Sequence, residues 1–318
     1  SVSKNSVAPS SQASRDLIGF AALVIAVVIG YQVTTKLFTP WMDNLFNGEA
    51  DPNQKKWADL CSLLLGIAFT LPLAWWTSQK AKFETLNTSL KNYFSMKGAT
   101  QFLLMIILYK LGDAFAGSLL TPFLLKGVMF SQAEIGVVNK VIGIWLTIVG
   151  ALLGGAVMIR WGLFRSLLIF GILQMLSNLG FWLLAVKGQG AWGSFTLPQF
   201  DMVIITLKEA TNVDILLLSA VGFENITGGM GTAAFVAFLM SLCNQKFTAT
   251  QYALLSAFAA IGRVWVGPFS GVLSKSIGWP SFFIFSTVMA IPGLLMLLKM
   301  KSVILELEAP KEISLLDD

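Results

Sequence analysis

The 318-residue sequence contains no histidine and only two cysteines. The absence of histidine excludes HExxH zinc sites, Ser-His-Asp triads and proton relays built on histidine. Cys61 and Cys243 lie in or at the end of apolar runs, which favours neither a disulfide framework nor a metal site. The sequence therefore predicts a protein without a bound metal or cofactor.

Charged residues are also scarce: they make up 12% of the chain, whereas a soluble domain carries about 25%. Hydrophobic residues reach 55%, and the mean hydropathy is +0.73. Lipid is therefore the expected solvent, and the long apolar runs predict an all-α membrane protein. The net charge of +5 is explained by lysines and arginines that flank membrane spans, so no nucleic-acid partner is expected.

The apolar runs predict eight membrane-spanning helices, since a helix needs about 20 residues to cross a bilayer. The first two enclose a polar stretch and form a hairpin, and the other six form one block. Blocks of six helices are the halves of major-facilitator transporters, which close around a site at the membrane midplane. The predicted spans are 17–35, 60–77, 100–121, 135–159, 164–186, 213–241, 252–273 and 281–299.

Polar segments begin, separate and end these blocks. The first sixteen residues are Ser-rich and resemble a solvated linker. Because the chain begins without methionine, we expect that preceding residues have been cut away or belong to another chain. The predicted domains are a cytoplasmic linker at 1–16, an accessory transmembrane hairpin at 17–77, a cytoplasmic amphipathic connector at 78–99, a C-terminal six-helix transporter half at 100–300 and a cytoplasmic tail at 301–318.

The connector has apolar and aromatic residues at helical spacing from Phe83 to Phe94, with lysines on its polar side. This pattern predicts a helix in the cytoplasmic membrane interface; the alternative is an ordinary solvated connector. Lysine and arginine are more frequent in the loops on the same side as the N-terminus, which predicts that both termini are cytoplasmic.

Four ionisable residues lie near the middle of predicted spans, where a charge is costly unless it faces protein or a wet cavity. Lys110 and Asp113 are three residues apart, so they share one helix face and can pair. Glu224 and Arg263 lie on the sixth and seventh spans. The four charges sum to zero, which allows structural pairs or one cluster. Alternatively, a carboxylate released from its pair takes up a proton, or a cation binds an anionic substrate.

A carboxylate and an amide, Glu224 and Asn225, are closely followed by three glycines. Glycine weakens a helix and lets a neighbouring backbone or a ligand approach. Glu224 is accordingly predicted as a proton-coupling acid, a substrate-binding acid or a static partner of Arg263. The predicted gating or hinge residues are Gly228, Gly229, Gly231, Gly267 and Pro268, of which the last two form a kink in the seventh span.

Four further polar residues are candidates to line a cavity: Asn139, Lys140, Gln174 and Asn178. Hydroxyl and amide groups that face a cavity can bind sugar hydroxyls or peptide bonds. The alternative is that they face neighbouring helices and only hold the bundle together.

Two segments resemble a known family. The first is FENITGGMGTAAFVAFLMSLCNQKFTATQYALLSAFAAIGRVWVGPFSGVLSKSIGW, from Phe223 to Trp279, and the second is YKLGDAFAGSLLTPFLLKGVMFSQAEIGVVNKVIGI, from Tyr109. Both closely resemble the AmpG-type muropeptide permeases, and the resemblance extends over most of 100–300. Asp113 and Glu224 fall within these segments, but only as candidate site residues. Family members carry a first six-span half that this chain lacks.

The resemblance implies a major-facilitator transporter of the peptide/acetyl-CoA transporter group in the inner membrane of Gram-negative bacteria. It implies proton-driven import of N-acetylglucosaminyl-1,6-anhydro-N-acetylmuramyl peptides for cell-wall recycling and, through these peptides, β-lactamase induction. The implied partners are a missing N-terminal half, the muropeptide, protons and membrane lipid. Two other classes stay open on the residues alone: a membrane-embedded enzyme acting on a lipid-linked sugar, and a non-transporting signalling or assembly protein.

Overall fold

The computed structural model describes residues 9–48, 51–96, 98–202, 205–207, 210–243 and 248–308. These residues are almost all helical, which confirms the predicted all-α class. The first eight residues of the predicted linker and the last ten of the predicted tail lie outside the described residues. The helices are α1 Pro9–Val33, α2 Thr39–Phe46, α3 Pro52–Lys80, α4 Glu84–Phe94, α5 Ala99–Tyr109, α6 Leu111–Ser118, α7 Leu120–Pro122, α8 Gln132–Gly136, α9 Ile144–Lys187, α10 Ile215–Ser241, α11 Thr248–Ile261, α12 Val266–Lys299 and α13 Lys301–Glu308.

Shorter elements complete the fold. Three π-helical segments, Thr34–Phe38, Phe123–Gly127 and Val137–Gly143, join consecutive helices. The loop between α9 and α10 contains four short strands that the sequence did not predict, β1 Ser194–Leu197, β2 Phe200–Met202, β3 Ile205–Leu207 and β4 Thr211–Asp214. Strand β1 pairs antiparallel with β4, and β2 pairs antiparallel with β3. The loop thus contains two short two-stranded antiparallel sheets, and the rest of the described chain is mainly helical.

The chain divides into two compact units, one of 1–102 with 243–272 and one of 103–242 with 273–318. The predicted six-helix half at 100–300 is shared between these units. Its arrangement as one bundle, with the hairpin outside, therefore stays a prediction.

In the first unit, α1 and α3 pack against each other as an antiparallel hairpin. A side chain at Gly30 would lie 2.1 Å from the hydroxyl of Thr70, and one at Gly66 would lie 2.4 Å from the hydroxyl of Thr34. Glycine at both positions therefore allows close helix contact, which matters in a bilayer because packing rather than the hydrophobic effect drives helix association. At the turn, Lys55 forms an ion pair with Asp43 at 2.5 Å.

Helix α4 lies within the predicted connector and is amphipathic. Its buried face, which includes Leu86, Leu90 and Tyr93, packs on its own unit, and the Tyr93 hydroxyl donates to the Ala99 carbonyl at 3.0 Å. The backbone N–H and the hydroxyl of Thr85 both donate to the carboxylate of Asp16, which fixes the start of α4 against α1. Its placement at a membrane interface stays a prediction.

In the second unit, the long helix α9 is broken at Gly162, with φ 76° and ψ 172°. Helix α12 is broken in the same way at Gly278, with φ 78° and ψ 166°. Only glycine adopts these angles readily, so each break is a tight turn between two helical segments. Both breaks fall in the short gaps between predicted spans.

Within the described part of the chain, five stretches of helix are long and apolar enough to cross a membrane by length and composition: Ala13–Phe46, Pro52–Lys80, Ala99–Gly127, Gln132–Lys187 and Thr248–Lys299. They support a multi-pass membrane protein. Helix α10 corresponds to the predicted span 213–241, and Glu224, Asn225 and three glycines lie in its middle.

The last described helix, α13, is tied to the break in α9. The carboxylate of Glu308 accepts a hydrogen bond from the Phe164 backbone N–H, the ammonium of Lys301 lies 5.8 Å from the centre of the Phe164 ring, and Ile304 is fully buried. A carboxylate at this position satisfies a free N–H at the start of the second half of α9 and interacts favourably with the helix dipole.

We expect Glu308→Ala to lower the free energy of unfolding by about 1 kcal/mol, the usual cost of removing a helix N-cap. Glu306→Ala is the matched control, because Glu306 is exposed on the same helix and its side chain has no partner among the described residues. Thermal unfolding in detergent measures both variants. Equal midpoints for the two would contradict a stabilising role of the cap.

Candidate functional site

A polar cavity of about 260 Å³ lies within the second unit, among helices that are otherwise apolar. Its walls come from the junction of α5 and α6, from the first and second halves of α9, and from the middle of α10. The lining residues are Lys110, Asp113, Thr147, Gln174, Glu224, Asn225, Gly228 and Thr232. Five of the predicted polar site residues are thus brought together: Lys110, Asp113, Gln174, Glu224 and Asn225.

One wall of the cavity is a closed triangle of Lys110, Asp113 and Gln174. The ammonium of Lys110 donates to Asp113 Oδ2 at 3.0 Å and to Gln174 Oε1 at 3.2 Å. The amide nitrogen of Gln174 donates to the same carboxylate oxygen at 2.7 Å. The predicted pairing of Lys110 with Asp113 is therefore present, and the amide of Gln174 binds both partners at once.

Lys110 is held firmly in place. It lies at the non-helical residue between α5 and α6, with φ −98° and ψ 8°, and its side chain is 9% exposed against 28% for Asp113. Its ammonium lies 6.0 Å from the centre of the Phe235 ring. The neighbouring Tyr109 stacks on the same ring at 5.7 Å and donates its hydroxyl to the Leu167 carbonyl at 2.7 Å. The side chain of Lys110 is thus held by Asp113, by Gln174 and by the Phe235 ring.

The triangle depends on Gly231. A side-chain carbon at this position would lie 2.2 Å from Gln174 Oε1, which is far inside van der Waals contact. At Gly228, by contrast, the nearest atoms, Gln174 Nε2 and Glu224 Oε1, are 3.8 Å away. Gly229 faces α9 instead, where a side-chain carbon would lie 2.2 Å from the Thr147 carbonyl oxygen. The structure thus gives Gly229 and Gly231 a packing role, and their action as hinges stays a prediction.

A second set of hydrogen bonds joins α10 to the first half of α9. The hydroxyl of Thr147 donates to Asn225 Oδ1 at 2.7 Å, and the Asn225 amide nitrogen donates to the Val221 carbonyl at 2.8 Å. Thr147 and Thr232 were not predicted as site residues. The hydroxyl of a threonine in an apolar helix usually donates to a carbonyl of the preceding turn, as that of Thr147 also does to Gly143. Nothing in the sequence pattern therefore distinguishes Thr147 from an ordinary helical threonine.

Glu224 lines the same cavity and is half-buried. Among the described residues its carboxylate has no hydrogen-bond or ion-pair partner. Asp113 and Lys110 are close enough to interact with it electrostatically. The cavity therefore contains one ion pair, Lys110 with Asp113, and one further carboxylate, that of Glu224. No described protein group donates a hydrogen bond to the Glu224 carboxylate.

The other predicted residues lie elsewhere. Asn139 and Lys140, on the π-helical segment Val137–Gly143, do not line this cavity, and Lys140 is exposed. Asn178 lies one turn beyond Gln174 but is 2% exposed and also lies off the cavity. These three residues therefore do not line this cavity, and their position at a substrate cavity stays a prediction.

Arg263 belongs to the other unit, in the turn between α11 and α12, where its Nε donates to the Ala259 carbonyl at 2.7 Å. Gly267 and Pro268 follow in the first turn of α12, directly after this interruption of the helix. Their role as a hinge, and the pairing of Arg263 with Glu224, stay predictions.

The chain is similar to permeases and transporters. It is 50% identical over 209 residues to the anhydromuropeptide permease of Escherichia coli strain K12, a match that covers 66% of this chain and 38% of that protein. It is 33% identical over 215 residues to the putative transporter AmpG 4 of Rickettsia conorii, with 68% and 46% covered. An uncharacterized protein of Haemophilus influenzae is 35% identical over 254 residues, with 76% and 55% covered. No protein-family model matches the chain.

The fold and the cavity define a helical, multi-pass membrane protein with a polar site among its helices. Within this class the chain is a homologue of the AmpG-type muropeptide permeases, which confirms the resemblance predicted from the sequence. The chain spans about half or less of the length of these relatives, between 38% and 55%. The relatives that carry a functional name are permeases or transporters, which does not support the alternative of a membrane enzyme.

We expect Gly231→Ala to disrupt the triangle, because the new methyl group displaces Gln174. The expected cost is about 1–3 kcal/mol of folding free energy, as for other overpacked sites. Gly228→Ala is the matched control on the same helix and should be neutral or stabilising by up to about 1 kcal/mol, since alanine favours a helix more than glycine does. Adding Gln174→Ala to Gly231→Ala should recover part of the loss. A loss for Gly228→Ala as large as that for Gly231→Ala would contradict the steric argument.

Reversal of the ion pair tests whether Lys110 and Asp113 depend on each other. Lys110→Glu alone and Asp113→Lys alone each place like charges side by side, and breaking a buried pair costs about 3 kcal/mol or more. The double variant should express and unfold closer to the unmodified protein than either single variant. Expression level and the midpoint of thermal unfolding are the measurements; additive losses in the double variant would show that the pair is not coupled.

Proposed function

We propose that this chain is the C-terminal part of a proton-driven secondary transporter of the major-facilitator type, which imports anhydro-muropeptides into the cytoplasm. The observation that carries the proposal is the polar cavity of the second unit in a homologue of AmpG-type permeases. This cavity contains an ion pair and an acid, Glu224, that has no partner among the residues the structure describes. Charged groups in membrane spans are costly even when they are paired, and they often mark substrate or ion pathways.

The chemistry of the cavity suits a muropeptide. Sugar hydroxyls and peptide amides need both donors and acceptors. The lining supplies an ammonium group, two carboxylates, two amides and two hydroxyls. A volume of about 260 Å³ holds only part of a disaccharide-peptide, so we propose that an N-terminal half contributes the rest of the site.

The proposed mechanism assigns different work to the two carboxylates. The charge of Asp113 is already neutralised by Lys110, and its carboxylate also accepts a hydrogen bond from Gln174. Glu224 is the proposed proton-coupling acid, because a proton or a substrate donor can satisfy it without breaking the triangle. The two alternatives remain a substrate-binding acid and a static partner of Arg263.

The proposed setting is the bacterial inner membrane, with both termini in the cytoplasm. The proposed partners are the N-terminal half, the muropeptide, protons and membrane lipid, and neither a cofactor nor nucleic acid takes part. Import would return cell-wall fragments to the cytoplasm for recycling and supply the peptides that induce β-lactamase. The positive-inside pattern of the loops supports the orientation.

The test is uptake of radiolabelled anhydro-muropeptide into membrane vesicles, with the N-terminal half supplied and with or without a protonophore. Accumulation that the protonophore abolishes is the expected result. Absence of uptake by a folded, assembled protein would reject the proposal. Loss of the cavity charges in a folded Lys110→Gln, Asp113→Asn double variant should lower uptake even without a gradient if the cavity binds substrate.

We expect Glu224→Gln to separate the three roles of Glu224, because it nearly preserves the shape of the side chain and removes its charge. A coupling acid predicts loss of gradient-driven accumulation while substrate exchange continues. A substrate-binding acid predicts weaker affinity in both assays. A static partner predicts loss of stability that Arg263→Met partly restores. Unchanged uptake and unchanged stability would reject all three roles.

A further inference from the structure

A second pocket, of about 390 Å³ and with both polar and apolar lining residues, lies in the first unit between the last turns of α3 and one side of α4. It is separate from the cavity of Lys110 and Glu224, which belongs to the second unit. Six of its lining residues carry the argument: Trp75, Gln79, Asn87, Thr88, Lys91 and Phe94.

Hydrogen bonds between α3 and α4 hold the two helices that form this pocket in place. The amide nitrogen of Gln79 donates to Asn87 Oδ1 at 2.9 Å. The amide nitrogen of Asn87 donates to the Ser78 carbonyl at 3.1 Å. Helix α4 is therefore clamped to the end of α3, and the pocket between them is a preformed feature of this unit.

Hydrogen-bond donors face this pocket without a protein partner. Among the described residues, neither the ammonium of Lys91 nor the hydroxyl of Thr88 has a hydrogen-bond or ion-pair partner. Lys80 and Lys82, at the end of α3 and in the turn that follows it, are exposed close to the pocket in sequence, and exposed Glu84 offsets only one of these two charges. The donors and the charge match an anion with several acceptor oxygens, such as a phosphate.

The rim of the pocket is aromatic and lies where a membrane span ends. Trp75 is 52% exposed and Phe94 is 49% exposed. Helix α3 is apolar enough to cross a bilayer and ends at Lys80, about one turn beyond Trp75. Tryptophan and lysine are typical of the level at which lipid headgroups lie.

We propose that this pocket binds the headgroup of an anionic phospholipid, with the phosphate at Lys91 and Thr88 and the glycerol and upper acyl chains against Trp75 and Phe94. The aromatic rim favours a lipid over a free phosphate, because a soluble anion has no apolar part to cover these rings. The proposal goes beyond transport and does not depend on which substrate the protein carries.

The test is native mass spectrometry of the purified, delipidated protein with added dioleoylphosphatidylglycerol or dioleoylphosphatidylcholine. We expect one molecule of phosphatidylglycerol to bind in preference to phosphatidylcholine. Lys91→Gln should weaken phosphatidylglycerol binding about five-fold, the effect of one lysine at an anionic lipid surface, and Lys91→Arg should retain it. Lys36→Gln is the matched control, because Lys36 is an exposed lysine of the same unit in the π-helical segment after α1. It lies about 30 Å further along the helical chain than Asp16, whose carboxylate accepts hydrogen bonds from Thr85 of α4.

Three results would overturn the proposal: equal binding of the two lipids, equal effects of Lys91→Gln and Lys36→Gln, or displacement of phosphatidylglycerol by an equal concentration of glycerol phosphate. The last would show a site for a soluble anion. If Lys91→Gln loses the preference for phosphatidylglycerol while muropeptide uptake stays normal, the result supports the lipid site. If the unmodified protein shows the lipid preference but no uptake, the lipid site is supported and only the transport proposal fails.

Discussion

The ammonium of Lys110 is buried, so the second unit has to supply it with a counter-charge and with hydrogen-bond acceptors. A charge in an apolar helix is tolerated only when it is paired and hydrogen-bonded. Asp113, one turn away on the same chain segment, neutralises it, and Gln174 from α9 supplies the remaining acceptor. Gln174 reaches this position only because residue 231 on α10 has no side chain. The charge of Lys110, between α5 and α6, therefore requires the amide of Gln174 on α9 and the absence of a side chain at Gly231 on α10.

Close contact between α9 and α10 fixes the positions of the residues that line the cavity. Side-chain carbons at Gly150 and Gly229 would each lie 2.2 Å from a backbone oxygen of the opposite helix, and one at Gly154 would lie 2.7 Å from the backbone of Met230. In a bilayer the hydrophobic effect does not press helices together, so glycine contacts and buried hydrogen bonds have to do so. The bond from Thr147 to Asn225 lies within this contact. The glycines after Glu224 therefore act first as a packing surface, whatever movement they also allow.

Sequence spacing predicted what is local and missed what depends on helix rotation and on distant contacts. The pairing of Lys110 with Asp113 follows from three-residue spacing, and the turn at Gly162 falls in the gap between two apolar runs. The place of Gln174 in the site depends on contacts with residues 61 and 64 positions away, which no periodicity encodes. Asn178, one turn further on the same helix, was an equally good candidate by sequence and points elsewhere. Thr147 carried no signal, because its hydroxyl also fits an ordinary backbone bond.

The two carboxylates of the cavity differ in a way that bears on coupling. Asp113 accepts hydrogen bonds from both Lys110 and Gln174, so adding a proton to it would weaken two bonds. Glu224 has no such bonds among the described residues, so a proton or a donor group of a substrate meets little competition there. Its electrostatic neighbours include both a cation and an anion, and any shift of Lys110 from Asp113 towards Glu224 would exchange one satisfied acid for the other. This asymmetry is the physical basis for assigning the changing charge to Glu224 and the constant charge to Asp113.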